Sequence, residues 1–305
     1  MTTVPPMRIA VLIASHNRRH LTERGLRSLL AQDCLGDLIS ELTIWLLDDG
    51  SSDGTADMAK RLDPRIRVLQ GDGQRYWAGG MGDAHRAARS AGADFYLWLN
   101  DDVALEPDAL RRLLVARHEL STSGLDDPVV CGALRVPGTD RVLTGGMVNQ
   151  RSWLFGSNDL LPPWSVPREC ETMHGNVVLV SCTLLDALDP FDGTYLHGYA
   201  DHDFSHRARR AGHSLWMAPG FVGAGDAVRR PHYDATVPLR DRMRDVANAT
   251  RWRPADQWRF SRRNYGLRAP LIFLRPYVVT MVLGPKARLI RLRASWSRRR
   301  SDERT

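Results

Sequence analysis

Four cysteines in 305 residues, Cys34, Cys131, Cys170 and Cys182, stand far apart with no C-x-x-C pair among them. That scarcity excludes a zinc knuckle and a disulfide framework and fits a reducing compartment. Long apolar runs are also missing. The longest, Ala269 to Leu283, is interrupted by Arg275-Pro276 and falls short of the ~20 residues a spanning helix needs. Met1–Arg8 lacks a charged start followed by an apolar run, so no leader is expected and cytoplasmic is the expected location. A Gly-rich dinucleotide fingerprint is absent as well: the first apolar run is followed by ASHNRR, and Gly79, Gly80 and Gly82 follow no strand end and lack the acid expected further on. No recognition motif for nucleic acid is present, and nucleic acid is not an expected partner.

What is present is ordinary for a globular protein, with 43% hydrophobic and 25% charged residues. The net charge of +7 is unevenly spread. Residues 1–250 hold 27 basic and 32 acidic residues, whereas residues 251–305 hold 15 basic and 3 acidic ones. The excess positive charge therefore belongs to the end of the chain and suits an anionic surface.

Hydrophobic patterning predicts buried strands over Met7–Ala14, Leu42–Leu47, Ile66–Gln70 and Phe95–Leu99. Helices are predicted over Thr22–Gln32, Asp53–Leu62, Gly80–Ala91 and Glu106–Leu120. This alternation predicts an α/β fold with a mostly parallel, doubly wound sheet. Further on, Val129–Leu134, Val177–Val180 and Leu215–Ala218 read as strands and Asp201–Ala211 as a helix. Thr144–Pro167 reads as loop, and the chain from Val237 onward as helical and basic.

Sheets of this kind bind ligands at the carboxyl ends of their strands. Those ends carry Ser15-His16-Asn17-Arg18, Asp48-Asp49-Gly50-Ser51-Ser52-Asp53-Gly54-Thr55 and Asn100-Asp101-Asp102. Adjacent carboxylates at the end of an apolar strand repel unless a cation lies with them. Mg2+ and Mn2+ take oxygen ligands and commonly share them between one or two carboxylates and substrate phosphates. An Asp that caps the following helix would read the same way.

Together ASHNR, LLDDGSSDGT, LWLNDDV and DHDFSHRARRAG resemble the family 2 glycosyltransferases over residues 7–235. The resemblance implies a GT-A-type, Rossmann-like nucleotide-sugar-binding domain over residues 1–236, with a nucleotide-binding half over 7–104 and an acceptor half over 105–236. Residues 237–305 form a helical basic extension. It implies that Ala14 and Asn17 line the nucleotide pocket, that Asp49 reads the base, that Asp101 lies near the ribose or sugar, and that Asp102 holds the metal, Mg2+ or Mn2+. His232 stands where many relatives supply a histidine to that metal. Asp201 matches the catalytic base of an inverting transfer, in which one carboxylate deprotonates an acceptor hydroxyl. Two departures are visible: Asn100 stands where many relatives have a third Asp, and Ala200 where they have Glu. Asp203 is a rival for the base, and Asp201 also reads as a helix cap.

Gln74–Asp83 (QRYWAGGMGD) resembles a segment of rhamnosyltransferase-like members. In that reading Arg75 contacts a phosphate, Trp77 stacks on a sugar and Gly80 lets the sugar diphosphate approach the backbone; the glycines equally suit close helix packing. Trp153 and Asn176 fall in the acceptor half. The expected activity is transfer of a sugar from a nucleotide-diphosphate donor, dTDP-rhamnose or a UDP-sugar, to a hydroxyl of a glycan or lipid-linked acceptor in cell-surface glycan synthesis. A sugar-1-phosphate nucleotidyltransferase and an inactive sugar-nucleotide or membrane-binding module are the alternatives. The apolar block around Leu271–Leu283, followed by Lys286, Arg288, Arg291 and Arg293, suits peripheral attachment to an anionic inner membrane face; packing against the catalytic domain is the other reading.

Overall fold

Alternate residues of the first strand face opposite ways, and each side meets its own apolar layer. In the computed structural model, which describes residues 5–149, 158–189, 191, 193–226, 237–248 and 253–283, β1 (Met7–Ser15) sends Ile9, Val11 and Ile13 into one core and Ala10 and Leu12 into another. A strand buried on both faces needs apolar residues at nearly every position, which is why its sequence lacks alternation. Trp153, His232 and the basic residues from Lys286 onward lie outside the described residues.

The chain continues through α1 (Arg19–Leu30), β2 (Ile39–Asp48), α2 (Thr55–Leu62), β3 (Ile66–Gln70), α3 (Tyr76–Ala88), β4 (Phe95–Leu99), β5 (Ala104–Leu105) and α4 (Ala109–Thr122). It then forms β6 (Val129–Arg135), β7 (Val142–Thr144), β8 (Gly146–Asn149), β9 (Asn158–Leu160), β10 (Arg168–Cys170), β11 (Thr172–Met173), β12 (Val177–Ser181), α5 (Cys182–Leu188), α6 (Ala200–Arg210) and β13 (Leu215–Ala224). The main sheet runs β10-β13-β6-β12-β4-β1-β2-β3, with β5 on β13 and β7 on β6. Its centre, β3-β2-β1-β4, is parallel, and antiparallel β12 joins β4 to β6. Leu26, Leu29, Met58, Leu110 and Leu113, from α1, α2 and α4, belong to one core. Met81, Ala84, Leu185, Phe204 and Ala208, from α3, α5 and α6, belong to the other.

Several boundaries differ from the sequence reading, β13 for one running on to Ala224, and two of the differences have clear physical reasons. The stretch Thr144–Pro167, read as loop, contributes β8 and β9 to a second, three-stranded antiparallel sheet, β11-β8-β9. Strands of three or four residues are too short to show a period. Helix α3 starts at Tyr76, ahead of the expected Gly80, because a distant carboxylate caps it, as described below.

The strand order reverses between β1 and β4, since the chain builds β1, β2 and β3 outward and then returns to the other side of β1. A crevice opens at the carboxyl ends of such a pair. The residues that reach it are Ser15–Arg18 and Asn100–Asp102.

The chain divides into two units, Met1–Ala227 and Val228–Thr305. The second contains α7 (Leu239–Val246), α8 (Pro254–Tyr265) and α9 (Ala269–Val278), the last continuing into a wider helical turn to Leu283. Pro254 and Pro270 stand in the first turns of their helices, where a missing N–H costs nothing.

Candidate active site

Helix α1 presses the middle of its length against the Asp101–Val103 turn. A Cβ on Gly25 would stand 3.0 Å from the Val103 carbonyl oxygen and 3.1 Å from that of Asp101, a tight approach that glycine makes without displacing the turn. From the residue preceding the helix, Arg18 Nη1 donates to Asp101 Oδ1 at 2.9 Å and to Asp102 Oδ2 at 3.1 Å. Arg24 donates to the Asp102 carbonyl oxygen at 3.1 Å. Both carboxylates are 7% exposed. Burial raises the pKa of Asp101 above the usual carboxylate value; Arg18 opposes the rise, Asp102 adds to it, and hydrogen bonds from Ser15 and Arg18 oppose it.

The loop after β2 is tied to the loop after β1. Asn17 has a left-handed backbone (φ 51°), which asparagine tolerates, and its Oδ1 accepts from the Ser52 N–H at 2.8 Å. Its own N–H donates to Ser51 Oγ at 2.8 Å. Asp53 bridges two helix starts, accepting from the Arg19 N–H at 2.9 Å and from the Thr55 N–H at 3.1 Å. The Ser-Ser-Asp run of LLDDGSSDGT therefore holds the rim of the crevice together.

Asp49, expected to read the base, spends its carboxylate on the backbone. It accepts from the N–H groups of Gly73 (2.9 Å), Arg75 (2.9 Å) and Tyr76 (3.0 Å) and caps α3 from a different loop. This satisfies helix-start donors that no neighbouring side chain reaches. Ala14 packs against that helix: a Cβ on Gly80 would stand 2.8 Å from Ala14 Cβ and 2.8 Å from Leu47 Cδ2. Gly80 thus serves close helix-to-sheet packing, the second of its two sequence readings. The Arg75 guanidinium lies 3.2 Å from Asp83 and is about half exposed.

Trp77 joins the halves of the site. Its Nε1 donates to Asn100 Oδ1 at 2.9 Å, which gives the neutral Asn100 a definite partner. Its ring meets Trp98 and Phe191 edge-on, at 6.4 and 5.9 Å between centroids, within an aromatic cluster. Across from it, a Cβ on Gly175 would stand 2.7 Å from Trp77 and 3.2 Å from Asp201 Cβ. Asp201, in the first turn of α6, accepts from the Gly175 N–H at 2.9 Å and from the His202 N–H at 2.8 Å. Asn176 accepts the Asn100 N–H at 2.9 Å through its carbonyl oxygen. Asp49, Trp77, Asn100, Asp101, Asp102 and Asp201 therefore lie along one continuous line of contacts.

The rivals separate clearly. Asp203 is fully buried and paired with Arg207 at 2.9 Å, which turns it away from the cleft. Ala200 is also fully buried and brings no acid to the site. Burial pushes the His206 imidazole down to about 4, with His202 and Arg210 adding to the fall. His202 Nδ1 lies 2.9 Å from Thr172 Oγ1, and its ring lies 5.7 Å from that of His174.

The Asp101–Asp102 pair suits a hard divalent cation. Its donors are carboxylate oxygens, it is buried, and a guanidinium already stands beside it as a counter-cation. No group of three or more His, Cys, Asp or Glu gathers among the described residues. A metal here would complete its shell from substrate phosphates and water, the usual arrangement for Mg2+. Arg18, Asn100 and Gly175 are the participants that residue-by-residue reading did not assign. Arg18 immediately follows the ASHN segment but lies 83 residues from Asp101 in sequence, so no local signal links them.

Residues 10–135 match the model of the family described as Glycosyl transferase family 2. A GalNAc(5)-diNAcBac-PP-undecaprenol beta-1,3-glucosyltransferase of Campylobacter jejuni is 30% identical over 115 residues, 37% of this chain and 35% of that protein. The chain thus spans about a third of that relative's length. An undecaprenyl-phosphate mannosyltransferase of Micrococcus luteus is 27% identical over 273 residues, 86% of this chain and all of that protein. Among solved structures, a mannosyltransferase from Pyrobaculum calidifontis in complex with GDP-Man and Mn2+ superimposes with a TM-score of 0.53 at 19% identity, covering 96% of this chain and 81% of that one. S. aureus TarS 1-349 gives 0.52 at 15% identity, covering 92% and 74%. At these identities the structures speak for a shared GT-A fold.

Proposed function

Because the chain carries a glycosyl transferase family 2 domain on a GT-A fold, we propose that it transfers a sugar, with inversion, from a nucleotide-diphosphate donor to a hydroxyl of a lipid-linked acceptor. The observation that carries this reading is the convergence of the buried Asp101–Asp102 pair and the cleft-lining Asp201 through Asn100, Trp77 and Gly175.

The residues divide the work by charge. Asp102, with Asp101 beside it, would hold Mg2+ or Mn2+, which supplies positive charge to the departing diphosphate. Arg18 holds the two carboxylates in a fixed relation and spares them mutual repulsion. Asp201 accepts the acceptor hydroxyl proton, oriented by two backbone N–H groups, and Asp203 takes no part because Arg207 occupies it. Asn17 and Ala14 border the nucleotide side, where Asp49 shapes the pocket through α3. Asn176, next to Gly175, borders the acceptor side.

Both curated relatives are named for undecaprenyl-linked substrates, which supports an acceptor of that class and work at a membrane face. Their names point to glucose and mannose, and the donor is assigned here only as a nucleotide-diphosphate hexose.

A thermal-shift screen of nucleotide sugars with and without Mn2+ tests the reading, since a ligand at a hundred times its Kd stabilises by about 2.7 kcal/mol. One base and sugar should raise Tm, and more so with Mn2+. Indifference to every nucleotide sugar overturns it.

A further inference from the structure

The second unit displays large apolar side chains that a water-exposed helix does not ordinarily carry. Leu267 is fully exposed, Leu271, Leu274 and Met281 are between 51 and 59% exposed, and Val278 is 41% exposed. Leu271, Leu274 and Val278 of α9 recur at intervals of three and four residues, so at 3.6 residues per turn they share one stripe about 60° wide; Leu267 in the tight turn before α9 and Met281 in the wider turn after it continue the same spacing. Trp258 of α8 is 39% exposed and packs edge-on against Phe273 of α9 at 5.5 Å. The opposite side of this helix is tied down: Gln257 Nε2 donates to the Phe273 carbonyl oxygen at 3.0 Å, and Ala269 and Thr280 are buried. The stripe is thus the outer face of a packed helix pair.

Charge selects the occupant. Arg253, Arg262 and Arg268 of the same unit are exposed, Arg268 next to Leu267 in sequence, while Asp256, the one acid between Arg253 and Leu283, is buried. The sequence from Arg251 to the end carries 15 basic residues against 3 acidic ones. A second copy of this chain laid on the stripe would oppose like charges. An anionic lipid surface would instead neutralise them and receive the leucines. No helix among the described residues is long and apolar enough to cross a membrane.

We propose that the Leu267–Met281 face of α9 and its continuation is a membrane-docking surface for anionic phospholipid. Leu271 and Leu274 enter the acyl boundary, and the arginines lie at the headgroups. The proposal stands on the second unit alone and holds whatever sugar the first unit transfers.

Flotation of the purified full chain with vesicles tests it, using phosphatidylcholine alone and phosphatidylcholine containing phosphatidylglycerol. The chain should float with the anionic vesicles, less so at high salt, and the double variant Leu271→Ser/Leu274→Ser should float about ten-fold less. Both positions are exposed, so the variant should keep its circular dichroism spectrum and its thermal response to nucleotide sugars, which separates lost docking from a lost fold. Absence of flotation with anionic vesicles, or flotation unchanged in the double variant, overturns the proposal. So does concentration-dependent dimerisation that the double variant abolishes without any vesicle binding, which would assign the stripe to a second copy.

Discussion

Arg18 Nη1 lies 2.9 Å from Asp101 Oδ1 and 3.1 Å from Asp102 Oδ2, so one guanidinium nitrogen serves two adjacent carboxylates. Adjacent carboxylates at a strand end call for a cation; the folded chain brings one of its own, from the residue before α1. Arg18→Met should therefore destabilise the metal-free protein. Arg18 is 40% exposed as a side chain, so the loss is about 1–2 kcal/mol, below that of a fully buried pair. Urea unfolding in EDTA measures it, and added Mn2+ should restore more stability to the variant than to the parent chain. Equal midpoints in EDTA would contradict the assignment.

Asp201→Asn should nearly abolish transfer while the chain stays folded. The amide keeps an oxygen for one of the two N–H groups that the carboxylate accepts, Gly175 at 2.9 Å and His202 at 2.8 Å, loses the other bond at a cost of about 1 kcal/mol, and is no base. A general base is worth about 10²–10⁴-fold in rate, so release of nucleoside diphosphate in the presence of acceptor should fall by that order while the melting curve stays cooperative and shifts only slightly. Asp203→Asn, by contrast, should lower stability, because Asp203 is buried against Arg207.

Gly175→Ala places a methyl group 2.7 Å from Trp77 and 3.2 Å from Asp201 Cβ. One or the other must move. A misplacement of about 1 Å can cost about 10²-fold, and kcat should fall by that order while nucleotide-sugar affinity changes little. A melting curve and the fraction of chain that binds nucleotide sugar distinguish this from a general loss of folding, which would lower apparent kcat only by lowering the amount of active enzyme.

The stability of the catalytic unit should decline on mild acidification. Burial holds the His206 imidazole near about 4, with Asp203 opposing and His202, Arg210 and Arg209 reinforcing the depression. The unfolded chain takes up this proton below about 6.5, the folded chain only below about 4. The unfolded state therefore binds more protons between those values. Stability is complete above about pH 6.5 and is lost as the pH falls towards about 4, by about 3 kcal/mol in all for this group. His206→Asn should flatten that slope in urea midpoints taken at about pH 7 and about pH 5.

Gly80→Val should lift α3 from the sheet, since even a Cβ would stand 2.8 Å from Ala14 and Leu47. Overpacking of this kind costs about 1–3 kcal/mol. Because Asp49 caps the same helix, binding of nucleotide sugar should weaken along with Tm; a melting curve like that of the parent would refute the packing role.

Much of the framework was legible from local pattern. The doubly apolar runs β1, β2 and β4 and the polar residues at their ends need only neighbours in sequence to be read, because burial on both faces demands an apolar residue at every step. The LLDDGSSDGT and LWLNDDV segments stood out for the same reason, as charge placed abruptly after an apolar run. The short strands β8 and β9 were not legible, since three or four residues carry no period and are held by a partner strand far along the chain.

The residue types at the site are set by the sequence alone: which carboxylates end which strands, where glycines permit close approach, and where basic charge accumulates. The tertiary structure decided which of those groups are occupied. It turned Asp49 to the backbone of α3, buried Asp203 against Arg207, joined Trp77 to Asn100, and set Arg18 beside Asp101 and Asp102. The physical reason is range. A strand or helix records its burial in the spacing of adjacent residues, whereas a carboxylate's partner is chosen by whichever donor the fold delivers within about 3 Å, here from 24 to 84 residues away in the chain for Asp49 and Asp102.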